Sequence, residues 1–101
     1  MAVDTVSIGL SGIAAGITRQ RNSAHNVANA LTEDFHNHRT HQVDEQGGGT
    51  RAITSVDADS KPVSYAREIV EQKLAAVQAM SSARVLKTSL DLRGSLLDIL
   101  A

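Results

Sequence analysis

Large apolar side chains recur at helical spacing at both ends of this chain and lose that spacing in between, which restricts the folds open to it. In the first half they stand at Val6, Leu10, Ile13 and Ile17, then at Ala24, Val27 and Leu31. Steps alternating between four and three put side chains on one helix face, and only Gln20 interrupts the seam. The pattern predicts a helix over residues 5–31, with Asp4 as its N-cap; a short carboxylate there accepts from backbone N–H groups that the first turn leaves unpaired. In the second half Ile69, Ala76, Ala83, Leu90 and Leu97 are spaced seven apart. Val70, Val77 and Met80 widen that stripe early, and Leu86, Leu96 and Leu100 widen it late. Ser64 supplies an N-cap and Glu68 lies near the helix start, where the dipole favours a negative charge. A helix over residues 64–100 follows.

Gly9, Gly12 and Gly16 weaken the first helix, each by about 1 kcal/mol relative to Ala. Glycines in a helix have a reason when another backbone must come close, so these three are read as a small-residue packing face. Residues 33–61 differ from both ends. They hold three of the four histidines, the run Gly47-Gly48-Gly49 and few large apolar residues. Residues 50–56 have strand-forming residue types, but Ile53 and Val56 break the alternation, and the segment reads as an irregular connector. The predicted fold class is therefore all-α. Two long terminal helices form an antiparallel hairpin or coiled coil around an irregular central loop, in a single domain divided at 1–32, 33–61 and 62–101.

Such a domain has little to bury. Of 101 residues 42% are hydrophobic, but the aromatics are only Phe35 and Tyr65 and much of the remainder is Ala. A fully buried large aliphatic contributes about 1.5–3 kcal/mol, against roughly 1–2 kcal/mol per residue for ordering the backbone. Small domains are already poor in buried surface. Two wide apolar stripes on one hairpin leave surplus apolar area, which points to association with copies or relatives.

Composition also limits the chemistry. Ten basic and eleven acidic residues give a net charge of −1, without the basic stripe that nucleic-acid phosphates call for. The chain has no cysteine, hence no disulfide framework. The opening residues lack the basic region of a cleaved secretory signal, and the uncharged stretch 5–18 is too short and polar to span a bilayer. His36, His38 and His41 have metal-ligand residue types, and on an extended backbone His36 and His38 would share a side. The nearby Asp34 and Asp44 have no fixed geometry, and solvated loop histidines are the preferred reading over a metal-responsive module. His25 reads as a surface residue. The glycine run lacks the following Lys-Ser/Thr of a phosphate loop, and no nucleophile elbow occurs. Neither catalysis nor a cofactor is expected.

Motifs at both ends carry a resemblance. Ser11-Gly12-Ile13-Ala14-Ala15, then Arg19, then the run from Ala24-His25-Asn26-Val27-Ala28-Asn29 through Thr32 to Phe35, resembles the N-terminal motif of the flagellar basal-body rod and hook family. Val63-Ser64-Tyr65-Ala66-Arg67-Glu68-Ile69-Val70, Ala83-Arg84-Val85-Leu86-Lys87-Thr88 and Leu96-Leu97-Asp98-Ile99 resemble that family's C-terminal region. The family's Gly after the Thr is Asp34 here, and its mid-helix aromatic and following Asn correspond to Ala79 and Ser82. The resemblance implies a structural subunit whose terminal helices pair and stack into an axial tube with copies of itself and other flagellar axial proteins. It further implies passage through the flagellar type III export apparatus without a cleaved signal, a basal-body location across the periplasm, and no membrane insertion. Leu10, Ile13, Ile17, Val27, Ile69, Val77, Met80, Leu86, Leu90 and Leu97 would be its interface residues. Asn26 and Asn29 would bond a neighbouring backbone or the chain's own turn, Thr32 would stop the helix by bonding back to its carbonyls, and Phe35 would anchor the chain beyond. The alternative is a stand-alone helical-hairpin adaptor or regulator acting as a small soluble homo-oligomer.

Overall fold

The computed structural model describes residues 5–100; the N-cap expected at Asp4 lies outside them. Helix α1 (Thr5–Ala28) is followed by strands β1 (His38–Asp44) and β2 (Thr50–Val56), and the long helix α2 (Tyr65–Leu100) completes the order. The chain is mostly helical, with its two helices antiparallel: Gly9 lies beside Leu86, and Asn26 at the other end bonds Glu68. The central segment corrects the all-α expectation. It is a two-stranded antiparallel hairpin in the register His38↔Val56 to Asp44↔Thr50, closed by Gly47, Gly48 and Gly49, all at positive φ.

The helix–helix seam is made of small residues. Gly9, Gly12, Ala15 and Gly16 are buried on α1 and Ala75 on α2. Among the described residues Ala15 and Ala75 are the only buried side chains of hydrophobic type. A Cβ on Gly16 would stand 3.1 Å from the Ala75 carbonyl oxygen, and one on Gly12 would collide with the Ser82 hydroxyl. This close approach bears out the small-residue face. It also overturns the seam built from large aliphatics: Leu10, Ile17, Val27, Ile69, Val77, Met80, Leu90 and Leu97 are all exposed, and Leu31 stands 96% exposed. Ile13 and Leu86 are half-buried. Both stripes on α1 carry three-and-four spacing, and backbone proximity selects the one without bulk.

Helix α1 stops three residues before the predicted boundary. Asn29 donates from both its backbone N and its Nδ2 to the His25 carbonyl, at 3.1 and 2.9 Å, so its amide competes for an acceptor at the helix end. Thr32, expected to end the helix, instead bonds Asn29 through its backbone N and Oγ1, at 3.0 and 3.2 Å, and is exposed. Two residues on, Asp34 takes φ 57°, a left-handed conformation that Asp adopts more readily than most residues. Helix α2 begins as predicted, with Ser64 Oγ accepting from the Arg67 backbone N–H at 3.3 Å. At roughly 54 Å against roughly 36 Å for α1, by rise per residue, it runs past its partner, and residues 90–100 are exposed throughout.

Helix stability should respond to glycine position. Gly16→Val forces side-chain atoms against the Ala75 backbone and is expected to cost about 1–3 kcal/mol. A Cβ at Gly94 meets nothing within 4 Å, so Gly94→Ala should stabilise α2 by roughly 0.5–1 kcal/mol. Urea unfolding followed by circular dichroism measures both.

Candidate functional site

The hairpin lies along α1 and is held there by polar contacts. Asn22, 93% buried, donates from Nδ2 to Thr40 Oγ1 at 2.7 Å and to Thr54 Oγ1 at 2.9 Å. At the glycine turn the Thr50 N–H donates to Ser11 Oγ, at 3.1 Å. These threonines explain why the strands were missed. The hairpin's inward positions are polar, so no hydrophobic alternation marks them, and their partners are a distant Asn and Ser.

Where the hairpin meets both helices, one amide joins three elements. Asn26 is fully buried. Its Oδ1 accepts the His38 N–H at 2.8 Å, while Nδ2 donates to the His38 carbonyl at 2.9 Å and to Glu68 Oε1 at 2.8 Å. The Glu68 carboxylate, read in the sequence only as a helix-dipole charge, is buried in this junction, and Ser23 Oγ donates to the Glu68 carbonyl at 3.0 Å. Asn26 thus satisfies main-chain groups as expected, within its own chain and through the strand rather than the helix turn.

A second polar layer lies one to two turns away. Arg19 pairs with Glu71 at 3.1 Å and bonds Gln78 Oε1 at 3.3 Å. Gln78 in turn donates to the Gly12 carbonyl and exchanges bonds with Gln42 of β1. Between β1 and α2 these groups border an open cleft of about 380 Å³, with Arg19, Asn22, Glu68 and Glu71 on the helical side and His38 to His41 on the strand side. A second ion pair, Arg39–Asp57 at 3.3 Å, closes the base of the hairpin. No buried side-chain nitrogen or oxygen among the described residues lacks a partner, so the junction is a satisfied network that fixes one arrangement.

His36 lies in the irregular segment before β1 and is half-buried, whereas His38 and His41 lie on β1, His41 exposed to solvent. His36 Nδ1 bonds the Asp57 carbonyl at 2.8 Å, and His41 Nε2 lies 3.0 Å from Ser55 Oγ. His38 and His41 differ in parity along β1 and project to opposite sheet faces. His25 is exposed, as expected, and its ring lies tilted against that of His38 with centroids 4.2 Å apart. Phe35 completes the cluster at 5.5 Å from His25 and 6.0 Å from His38, half-buried in the anchoring position expected of it. Among the described residues no three His, Asp or Glu side chains gather as a metal site.

Burial lowers the His38 pKa below its ordinary value, and the neighbouring His25 lowers it further. A folded-state pKa below the unfolded one means that the unfolded chain binds protons first as pH falls. The stability contributed is complete above about pH 6.5 and is lost on acidification through the lower folded value. Urea midpoints should therefore fall between pH 7 and pH 5, and His38→Gln should flatten that slope. Asn26→Ala leaves the His38 main chain and the Glu68 carboxylate without their partner, at an expected cost of roughly 3 kcal/mol in the same unfolding measurement.

No protein-family model, curated protein or solved structure matches this chain.

Proposed function

We propose that this chain is a structural subunit of the bacterial flagellar basal-body rod, assembling through the outward faces of its two terminal helices. The observation that carries the reading is the mismatch between the narrow internal seam and the wide apolar stripes. The fold is held by glycine, alanine and a polar junction, while the large aliphatics of both helices stay exposed. Isolated exposed apolar residues are ordinary, but stripes running the length of two helices mark a surface that other chains cover.

The motif residues fit that division of labour. Asn26, Arg19 and Gly12 of the N-terminal motif maintain the subunit's own fold. Leu10, Ile17, Ile69, Val77, Met80, Leu90 and Leu97 remain free to meet neighbours, with α2 presenting Leu90, Leu96, Leu97 and Leu100 beyond the end of α1. Copies of the chain and other flagellar axial proteins are the proposed partners. Export through the flagellar type III apparatus in an unfolded form suits a chain with so thin a core. The terminal helices would then order fully on docking, interface burial offsetting the lost entropy.

Leu90→Asp tests the stripe without touching the internal seam. Wild-type protein is expected to form concentration-dependent assemblies by sedimentation velocity. The variant should lose at least about tenfold in association constant, since an interface burying an unpaired carboxylate forfeits more than about 1.4 kcal/mol, with an unchanged circular dichroism spectrum. In a flagellated host, deletion of the coding sequence should abolish rods and motility. Intact rods would overturn the proposal, and a defined small oligomer retained in the cytoplasm would favour an adaptor.

A further inference from the structure

Strand β2 has an open edge, and its polarity follows from the ladder. The Asp57 N–H donates to the Asn37 carbonyl at 2.9 Å, and the Glu45 N–H to the Gly49 carbonyl at 3.1 Å. Odd-numbered positions are therefore the hydrogen-bonded pairs of the hairpin, and even-numbered residues turn their main-chain groups outward. On β1 the outward groups of His38 are taken by Asn26. On β2 the Thr50 N–H is taken by Ser11. The outward N–H and C=O groups of Ala52, Thr54 and Val56 have no partner among the described residues. Beside this edge runs a groove of about 370 Å³ with Ser11, Ala14, Ala15 and Thr18 of α1 as its floor. Ile53 and Val56 are exposed on the strand, 40% and 56%.

We infer that a second copy of this chain pairs its own β2 with this edge, antiparallel about Ile53, to make a four-stranded sheet. Centring on Ile53, the midpoint of β2, sets all seven residues opposite partners; at each end the Thr50 N–H stays on Ser11, so only its C=O bonds Val56 of the second copy. A one-residue slip would set outward main-chain groups against inward ones, and a two-residue slip would leave strand ends unpaired. The register joins Ala52 to Thr54 of the second copy by hydrogen bonds and sets Ile53 against its own counterpart on the open sheet face. It places Arg51, the only charged residue of the strand, opposite Ser55, so no like charges meet and the Arg51–Glu45 ion pair at 2.7 Å is undisturbed.

The layer beneath accommodates the pairing. Each α1 covers a two-stranded hairpin, so the two α1 axes would lie about twice the strand spacing apart, roughly 9–10 Å. That is the spacing of packed helices, and Ala14 and Thr18 on the groove floor supply the small residues such an approach needs. A two-fold contact of this kind closes on itself as a dimer. It leaves the α2 stripe untouched and stands independently of the rod reading.

The chain has no cysteine, so single cysteines report the contact cleanly. Non-hydrogen-bonded antiparallel pairs have Cα atoms about 4.5 Å apart, within the window of a disulfide, whereas residues 55 of the two copies would be separated by four positions. Under mild oxidation full-length Ile53→Cys should form disulfide dimers at least about tenfold faster than Ser55→Cys. Adding Ala52→Pro removes an outward N–H, spares the hairpin ladder, and should reduce Ile53→Cys cross-linking to the Ser55→Cys rate with an unchanged circular dichroism spectrum. Equal rates for the two cysteine variants, or cross-linking that survives Ala52→Pro, would overturn the inference. Leu90→Asp in the Ile53→Cys background separates this contact from helix-mediated assembly and should leave the cross-link in place.

Discussion

Between α1 and α2 the backbones approach so closely that Gly9, Gly12 and Gly16 face Leu86, Ser82 and the Ala75–Ala79 turn almost directly. Most other features depend on that distance. A seam with so little room takes a large aliphatic only at its Gly9 end, where Leu86 is half-buried, and most of the large aliphatics of both helices stay exposed. It also leaves little apolar area to bury inside, so the hairpin is fastened to α1 by polar bonds instead.

Those polar bonds have a structural logic of their own. Hydrophobic contacts are non-directional, and a seam of glycine and alanine would tolerate sliding. The junction at Asn26 is directional. It requires His38 of β1 and Glu68 of α2 at fixed positions, and Arg19 and Gln78 repeat the constraint further along the helices. A buried polar network contributes less net stability than its bonds suggest, because each group gives up water, but leaving it half-made is costly. Register in this fold therefore rests on the network, and close packing rests on the glycines.

The same separation defines the surfaces open to other chains. The helix stripes and the β2 edge are recognised differently, one by apolar burial and the other by main-chain hydrogen bonds. An assembly subunit of the rod type would use the stripes. The strand edge offers a two-fold contact that the α2 stripe neither requires nor prevents.

Sequence by itself determined that two helices form, where α2 begins, and that Gly9, Gly12 and Gly16 mark a close-packed face, because helical spacing, capping and glycine content are local properties. It also held both stripes of α1 without ranking them. Choosing between Leu10-Ile17 and Gly12-Gly16 as the internal face required the partner helix, since the gain from backbone proximity exists only once α2 is in place. The hairpin was likewise illegible: Thr40 and Thr54 look like loop residues until Asn22 supplies their bonds, and Glu68 looks like a solvated charge until Asn26 buries it. Tertiary structure decided these points because a polar residue's place depends on a partner distant in sequence, which no spacing within its own segment can reveal.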